Sequence, residues 1–251
     1  MNKKGKRIIS TASITFLVCM LFSIFGQFLP ATVIKQNVMR SKVSFSEKAL
    51  YSKVIENYDS SQLDDFTDAI ILATAGYIGN ESAIEKAFAN YRAVSGDPCE
   101  SLQTYGLENI DMQKSNYARY WLGCVFFTKV LLLLFDYSGI QMFNHIMQTL
   151  LLLFLVILME RKRLTRYIVP LVVTLLWIMP GIVYLSIQFS TVYYLILVSM
   201  ILVLIFDGFE KDENLNAFLC ALGGGYKLVG FFDISTCSLR YASFDGHDSK
   251  K

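Results

Sequence analysis

No Asp, Glu, Lys or Arg interrupts the forty residues from Tyr167 to Phe206. A water-exposed domain carries charge at much shorter intervals, so the gap excludes an ordinary soluble fold there. Histidine is scarce: His145 and His247 stand about a hundred positions apart. With no Cys-x-x-Cys or Cys/His spacing beside them, nothing suggests a zinc site, and no metal ligand set is expected from the residues themselves. Of the five cysteines, Cys19 and Cys124 lie in apolar stretches and Cys220 and Cys237 near the C-terminus. Cys99 is left alone in the polar region, and one thiol cannot build a disulfide framework.

What the chain has is apolar mass: 54% of its 251 residues are hydrophobic and 18% charged. A bilayer core about 30 Å thick takes roughly twenty apolar helical residues to cross. The uncharged run therefore reads as two spans joined by a tight turn. The net charge of +2 says less than its distribution. Lys3, Lys4, Lys6 and Arg7 precede the first apolar run, and Arg161, Lys162, Arg163 and Arg166 follow the run ending near Met159. Basic residues are retained on the cytoplasmic side, which places both clusters there.

The first apolar stretch, Ile8 to Ile34, is longer than a secretory signal core and lacks a convincing cleavage site, so residues 1–30 are read as an uncleaved signal anchor. Residues 31–138 then form an exported loop domain. Its polar part, 31–120, holds nine Lys/Arg against twelve Asp/Glu and no span-length apolar run. Within it, Ser44–Tyr58 is expected to be a helix with Leu50, Val54 and Ile55 on one face, and Thr67–Ile78 a helix that is buried or lies on the bilayer. Ser60, Ser61, Gly79, Asn80, Gly96, Asp97 and Pro98 punctuate these helices.

Trp121–Phe135 and Gly139–Met159 are both apolar, separated only by Asp136, Tyr137 and Ser138. If both crossed, the second basic cluster would face outward, against the orientation rule. Segment 121–135 is the shorter, carries Lys129 and opens on aromatics, so it is read as interfacial or re-entrant. Residues 139–206 then supply three crossings, at 139–159, 167–187 and 191–206, with 207–216 a cytoplasmic loop. Segment 217–236 is a marginal fifth span, spoiled by Gly223–Gly225, Lys227 and Asp233, and 237–251 is a polar tail. The expected fold is all-α: a polytopic helical membrane protein with a helical exported domain. Pro170 and Pro180, the latter followed by Gly181, should bend the third span. His145 and Gln148 share a helical face, where interhelical hydrogen bonding is the expected role.

The segments "YARYWLG" (117–123), "LLLLFDYSGIQMFN" (131–144), "FTDAIIL" (66–72) and "YLSIQFSTVYYLILVSM" (184–200) resemble elements of an uncharacterised family of bacterial multi-pass membrane proteins. Members continue past a Phe-Phe-Asp element into further membrane helices. Here "GFFDIST" (230–236) begins that element and gives way to the polar tail, so the chain is expected to be an N-terminal fragment cut near residue 233. The overall plan is similar to that of GT-C membrane glycosyltransferases. The resemblance implies transfer of a sugar from a polyprenyl-phosphate donor to an envelope acceptor by the full-length form. It further implies a bacterial cell-membrane location with a cytoplasmic N-terminus, the lipid bilayer as partner and no nucleic acid.

In that class a carboxylate of the first exported loop takes a proton from the acceptor or holds a divalent cation. Asp68 is the positional match for the base, with Asp65 beside it. Read from the residues alone, Asp65 or Thr67 equally serves as a helix cap, with Asp68 favourably placed at the positive helix start. Arg119, with Tyr117, Tyr120 and Trp121, is the candidate for binding a lipid phosphate, and Lys129 for a second positive charge. The plain alternative is an aromatic belt with snorkelling bases. A non-catalytic envelope assembly or interaction protein is the alternative to the enzyme.

Overall fold

The structure is a computed structural model and describes residues 3–46, 50–106, 113–117, 123–177 and 180–206. Arg119, Tyr120, Trp121, segment 217–236 and the polar tail lie outside the described residues. The chain is mostly helical, as expected of its composition. It is not purely so: strands β1 (Arg92–Val94) and β2 (Gln113–Ser115) pair antiparallel, with Ala93 opposite Lys114.

Helix α1 (Lys3–Phe25) ends in a 3-10 turn, and Pro30 precedes α2 (Ala31–Ser41). The apolar stretch Ser13–Phe28 and the following Ala31–Phe45 are bent 89° from each other. The turn is tight because Gly26 has no side chain; a Cβ there would stand 3.2 Å from the Phe126 ring. The chain therefore turns sharply out of α1 and packs α2 against α3 of the polar domain.

That domain is organised around α3 (Asp65–Ala75), in which every residue but Phe66 and Thr67 is buried. A helix with apolar groups all round belongs in a core, and this one packs on α5 (Pro98–Thr104), α6 (Cys124–Leu131) and α2. Between α3 and β1, the short α4 (Ala83–Ala89) is capped by Ser82 and closed by Asn90 in the left-handed region, φ 47°. Asp97 caps α5, whose first residue Pro98 has no N–H to leave unpaired.

Residues 50–58 do not form the expected helix. Their backbone instead bonds across a loop, Leu63 N–H to Ser52 O and Phe66 N–H to Leu50 O, and Val54 and Ile55 stand exposed. The physical reason is local competition: the Ser61 hydroxyl lies on the carbonyls of Ile55 and Tyr58 and accepts from the Ile55 N–H, offering the backbone a turn in place of helical bonds.

Helix α6 has eight residues, about 12 Å of rise, too short to cross a bilayer. After it, α7 (Tyr137–Arg161) and α10 (Ile187–Ile205) are the two described helices long and apolar enough to do so. The bent α1–α2 pair would make a third if counted as one span. Helices α7 and α10 run side by side in the same direction: Gln141 reaches Leu185, Gln148 reaches Ser190, and Leu155, Met159, Leu197 and Ile201 share one buried cluster.

A return leg must lie between parallel neighbours. It holds α8 (Ile168–Trp177) and α9 (Pro180–Val183), and residues 178 and 179 between them lie outside the described residues. The bend expected at Pro180 adjoins those two residues, and the one expected at Pro170 is not required. Pro170 falls in the first turn of α8, where no intrahelical N–H is required, and its carbonyl accepts from the Thr174 hydroxyl.

Candidate functional site

Three segments converge where α3 meets the starts of α7 and α10, and Asp68 is the point of contact. It sits in the first turn of α3, which Asp64 caps by accepting from the Thr67 N–H at 2.9 Å and the Thr67 hydroxyl at 2.7 Å. The cap is thus Asp64, not Asp65 or Thr67. Its position one residue before the helix leaves Asp68 pointing inward.

The Asp68 carboxylate is 1% exposed. Its Oδ2 accepts from the Tyr137 hydroxyl at 2.8 Å and the Ile187 N–H at 2.9 Å. Its Oδ1 accepts from the Ser186 hydroxyl at 3.0 Å and the Gln188 N–H at 3.1 Å. The two backbone donors are among the otherwise unpaired N–H groups at the start of α10, so a carboxylate from the polar domain caps a membrane-type helix. Burial pushes the Asp68 carboxyl up to about 6, against the pull of those four hydrogen bonds.

The network extends outward from Tyr137. Its hydroxyl also stands 2.9 Å from the Leu185 carbonyl, which the Gln141 amide serves at 2.6 Å, so the single phenolic proton goes to the carboxylate. The Tyr137 N–H donates to Ser41 Oγ, whose own hydroxyl donates to the Asn37 carbonyl; Asn37 Nδ2 in turn donates to the Leu132 carbonyl at 2.8 Å. Phe45 packs on the Tyr137 ring, centroids 4.8 Å apart. Beside the network, burial and the nearby Asp68 charge push the Cys124 thiol up to about 12.

The remaining candidates are not gathered here. Asp65 is buried and accepts from the Ser52 hydroxyl, while its carbonyl faces the Cys99 thiol. Asp64, Asp65 and Asp68 thus turn to separate partners, and among the described residues no group of three or more His, Cys, Asp or Glu could hold a metal ion. These residues do not fit the divalent cation that the resemblance implied.

Lys129 is 5% exposed and donates to Gln27 Oε1 at 2.8 Å across the α1 turn; burial lowers it to about 8. Tyr117 carries on its face the guanidinium of Arg92, 5.4 Å from the ring centroid. Arg92 escaped the sequence reading, as did Tyr137 and Ser186. Both of the latter lie inside the quoted segments, in "FDYSG" and "YLSIQ". A Tyr or Ser beside a helix start is a signal that only a known partner makes legible.

Between α7 and α10 the buried polar face is Asn144 and Gln148, not His145 and Gln148. Asn144 Oδ1 accepts from the Tyr194 hydroxyl and Gln148 Nε2 donates to Ser190 Oγ. His145 is on the exposed side, its ring 4.6 Å from that of Tyr184.

Two recesses open on the polar domain. One of about 410 Å³ is lined by Phe45, Leu50, Asp97, Cys99, Glu100 and Gln103 among others. The second, about 280 Å³, lies between α2 and the hairpin. No family model, curated protein or solved structure matches the chain.

Proposed function

We propose that this is a multi-pass cell-membrane protein of envelope polysaccharide or glycolipid assembly whose non-cytosolic cap acts by binding another envelope component. The observation that carries the binding role is the state of Asp68. A general base must reach the hydroxyl it deprotonates. Asp68 has no solvent path and its oxygens already accept four hydrogen bonds from its own chain. It serves as a latch between cap and membrane helices. The parallel course of α7 and α10 supports the multi-pass part, because the chain between residues 165 and 186 then recrosses between them.

The test is comparative. Asp68→Asn should lower the thermal midpoint of the detergent-purified chain. Exposed cap substitutions such as Glu100→Gln should leave folding intact and reduce co-purification of envelope material. A latch variant that stays fully stable while losing sugar transfer from labelled lipid donors would overturn the binding role in favour of catalysis.

Sugar transfer from a polyprenyl-phosphate donor is the second reading, favoured by one feature: the 410 Å³ recess with Asp97 and Glu100 in its wall. On that reading the base is Glu100, whose carboxylate is exposed, because Asp97 is engaged in capping α5. Glu100→Gln would then abolish transfer with substrate binding retained.

A further inference from the structure

We propose that the recess between α2 and the hairpin binds a single monoanionic pyranose, of which a uronate is the type. The proposal rests on the binding role given above and names the class of component bound. The recess is lined by Lys35, Tyr77, Ile78, Ala93, Tyr105, Gln113 and Lys114. Its volume of about 280 Å³ falls just under the roughly 300–1,000 Å³ of sites for drug-sized ligands, which suits one ring and not an oligosaccharide.

The walls have the chemistry of a sugar site. Tyr77 and Tyr105 present aromatic surface, whose negative face attracts the weakly positive C–H groups on one side of a pyranose. Gln113 supplies an amide able to donate to and accept from hydroxyls. The rings are held in place: Tyr105 donates to the Gly76 carbonyl, and Tyr77 donates to Glu81 Oε1 at 2.9 Å with its ring 5.9 Å from that of Tyr91. A preformed wall spares the ordering cost that a mobile side chain would add to binding.

Charge then selects the ligand. Lys114 is engaged by Glu81 at 2.8 Å and lies 4.4 Å from the Tyr91 ring centroid. Lys35 has no hydrogen bond or ion pair among the described residues; its ammonium stands 5.9 Å from the Tyr105 centroid. Among the described residues, two cations against one carboxylate leave one positive charge at the recess, located on Lys35. A ligand with one carboxylate therefore neutralises the site, and a neutral hexose leaves Lys35 unpaired.

The experiment is saturation-transfer NMR on the full chain in detergent, with glucuronate, galacturonate and glucose as probes. The expected result is transfer to both uronates and at least tenfold weaker binding of glucose. Lys35→Gln should cost about tenfold for the uronates and nothing for glucose, with Lys35→Arg restoring most of it. Tyr77→Leu, which keeps both lysines, should weaken all three sugars alike. Equal binding of glucose and the uronates, no binding of any, or full uronate binding by Lys35→Gln would each overturn the proposal. The binding role itself fails separately, when cap substitutions leave co-purification of envelope material unchanged.

Discussion

Asp68 and Tyr137 lie 69 positions apart in the chain and meet at 2.8 Å, one on the central helix of the polar domain, the other on the first residue of a membrane-type helix. Three donors on the α10 start complete the contact. Asp68→Asn keeps the shape but sets an NH₂ group against N–H donors, leaving buried groups unpaired at about 1–3 kcal/mol each. The expected loss is about 3 kcal/mol. Tyr137→Phe removes one donor and should cost about 1–2 kcal/mol. In a double-mutant cycle by denaturant unfolding in detergent, the two should couple by more than about 1 kcal/mol. Strict additivity would mean that the carboxylate does not depend on the phenol.

Stability should also depend on pH through this one group. The Asp68 carboxyl titrates near 3.8 when free and is raised to about 6 in the fold. The folded chain therefore holds the proton more tightly than the unfolded chain. The contribution of Asp68 to stability is expected to increase as pH falls from about 7 toward 4, by roughly 3 kcal/mol at most, and to be flat above that window. The measurement is the thermal midpoint against pH for the parent chain and for Asp68→Ala. The slope between pH 4 and 6 should vanish in the variant. A parent chain that instead loses stability on acidification across that window would show that the four hydrogen bonds outweigh burial.

The two long helices were legible because their apolar runs and flanking bases obey simple length and charge rules. Helix α3 was legible for a related reason, a run of apolar residues too dense for a surface. The latch was not. Asp68, Tyr137 and Ser186 carry no local pattern that separates a tertiary hydrogen bond from a helix start, so the sequence put Asp68 at a helix start without naming its partners. The loop over residues 50–58 was missed because its apolar spacing suits a helix, while the bonds of Ser61 that undo it come from beyond the segment. Asn144 lost to His145 in the sequence reading because the two are adjacent, and a one-residue choice turns a helix face by about 100°.

Arg92 offers a test in the direction of gain. Its Nε and Nη1 are buried without a hydrogen-bond partner among the described residues, and its guanidinium is drawn to the Tyr117 ring. Unpaired buried donors cost about 1–3 kcal/mol each, whereas a cation over a ring contributes about 0.5–1 kcal/mol. The costs outweigh the stacking. Arg92→Met, which keeps the length of the stem and its packing on Tyr117, should raise stability by about 1 kcal/mol, read from denaturant midpoints. A clear destabilisation would mean that the guanidinium is satisfied by a group beyond those described.

The orientation of the cap can be read chemically. Val43 follows α2 and is 79% exposed, and Glu160, near the end of α7, is exposed as well. On the proposed topology the start of α1 and the end of α7 face the cytoplasm and Val43 lies outside. A membrane-impermeant maleimide added to intact cells should therefore modify Val43→Cys beyond the level of the parent chain. Glu160→Cys should react only after permeabilisation. The native Cys99 adds little background because it is 6% exposed and packed against the Asp65 carbonyl. Reaction of both variants in intact cells would mean that α7 does not cross, and the reversed pattern would place the cap in the cytosol; either result removes the ground for an envelope role.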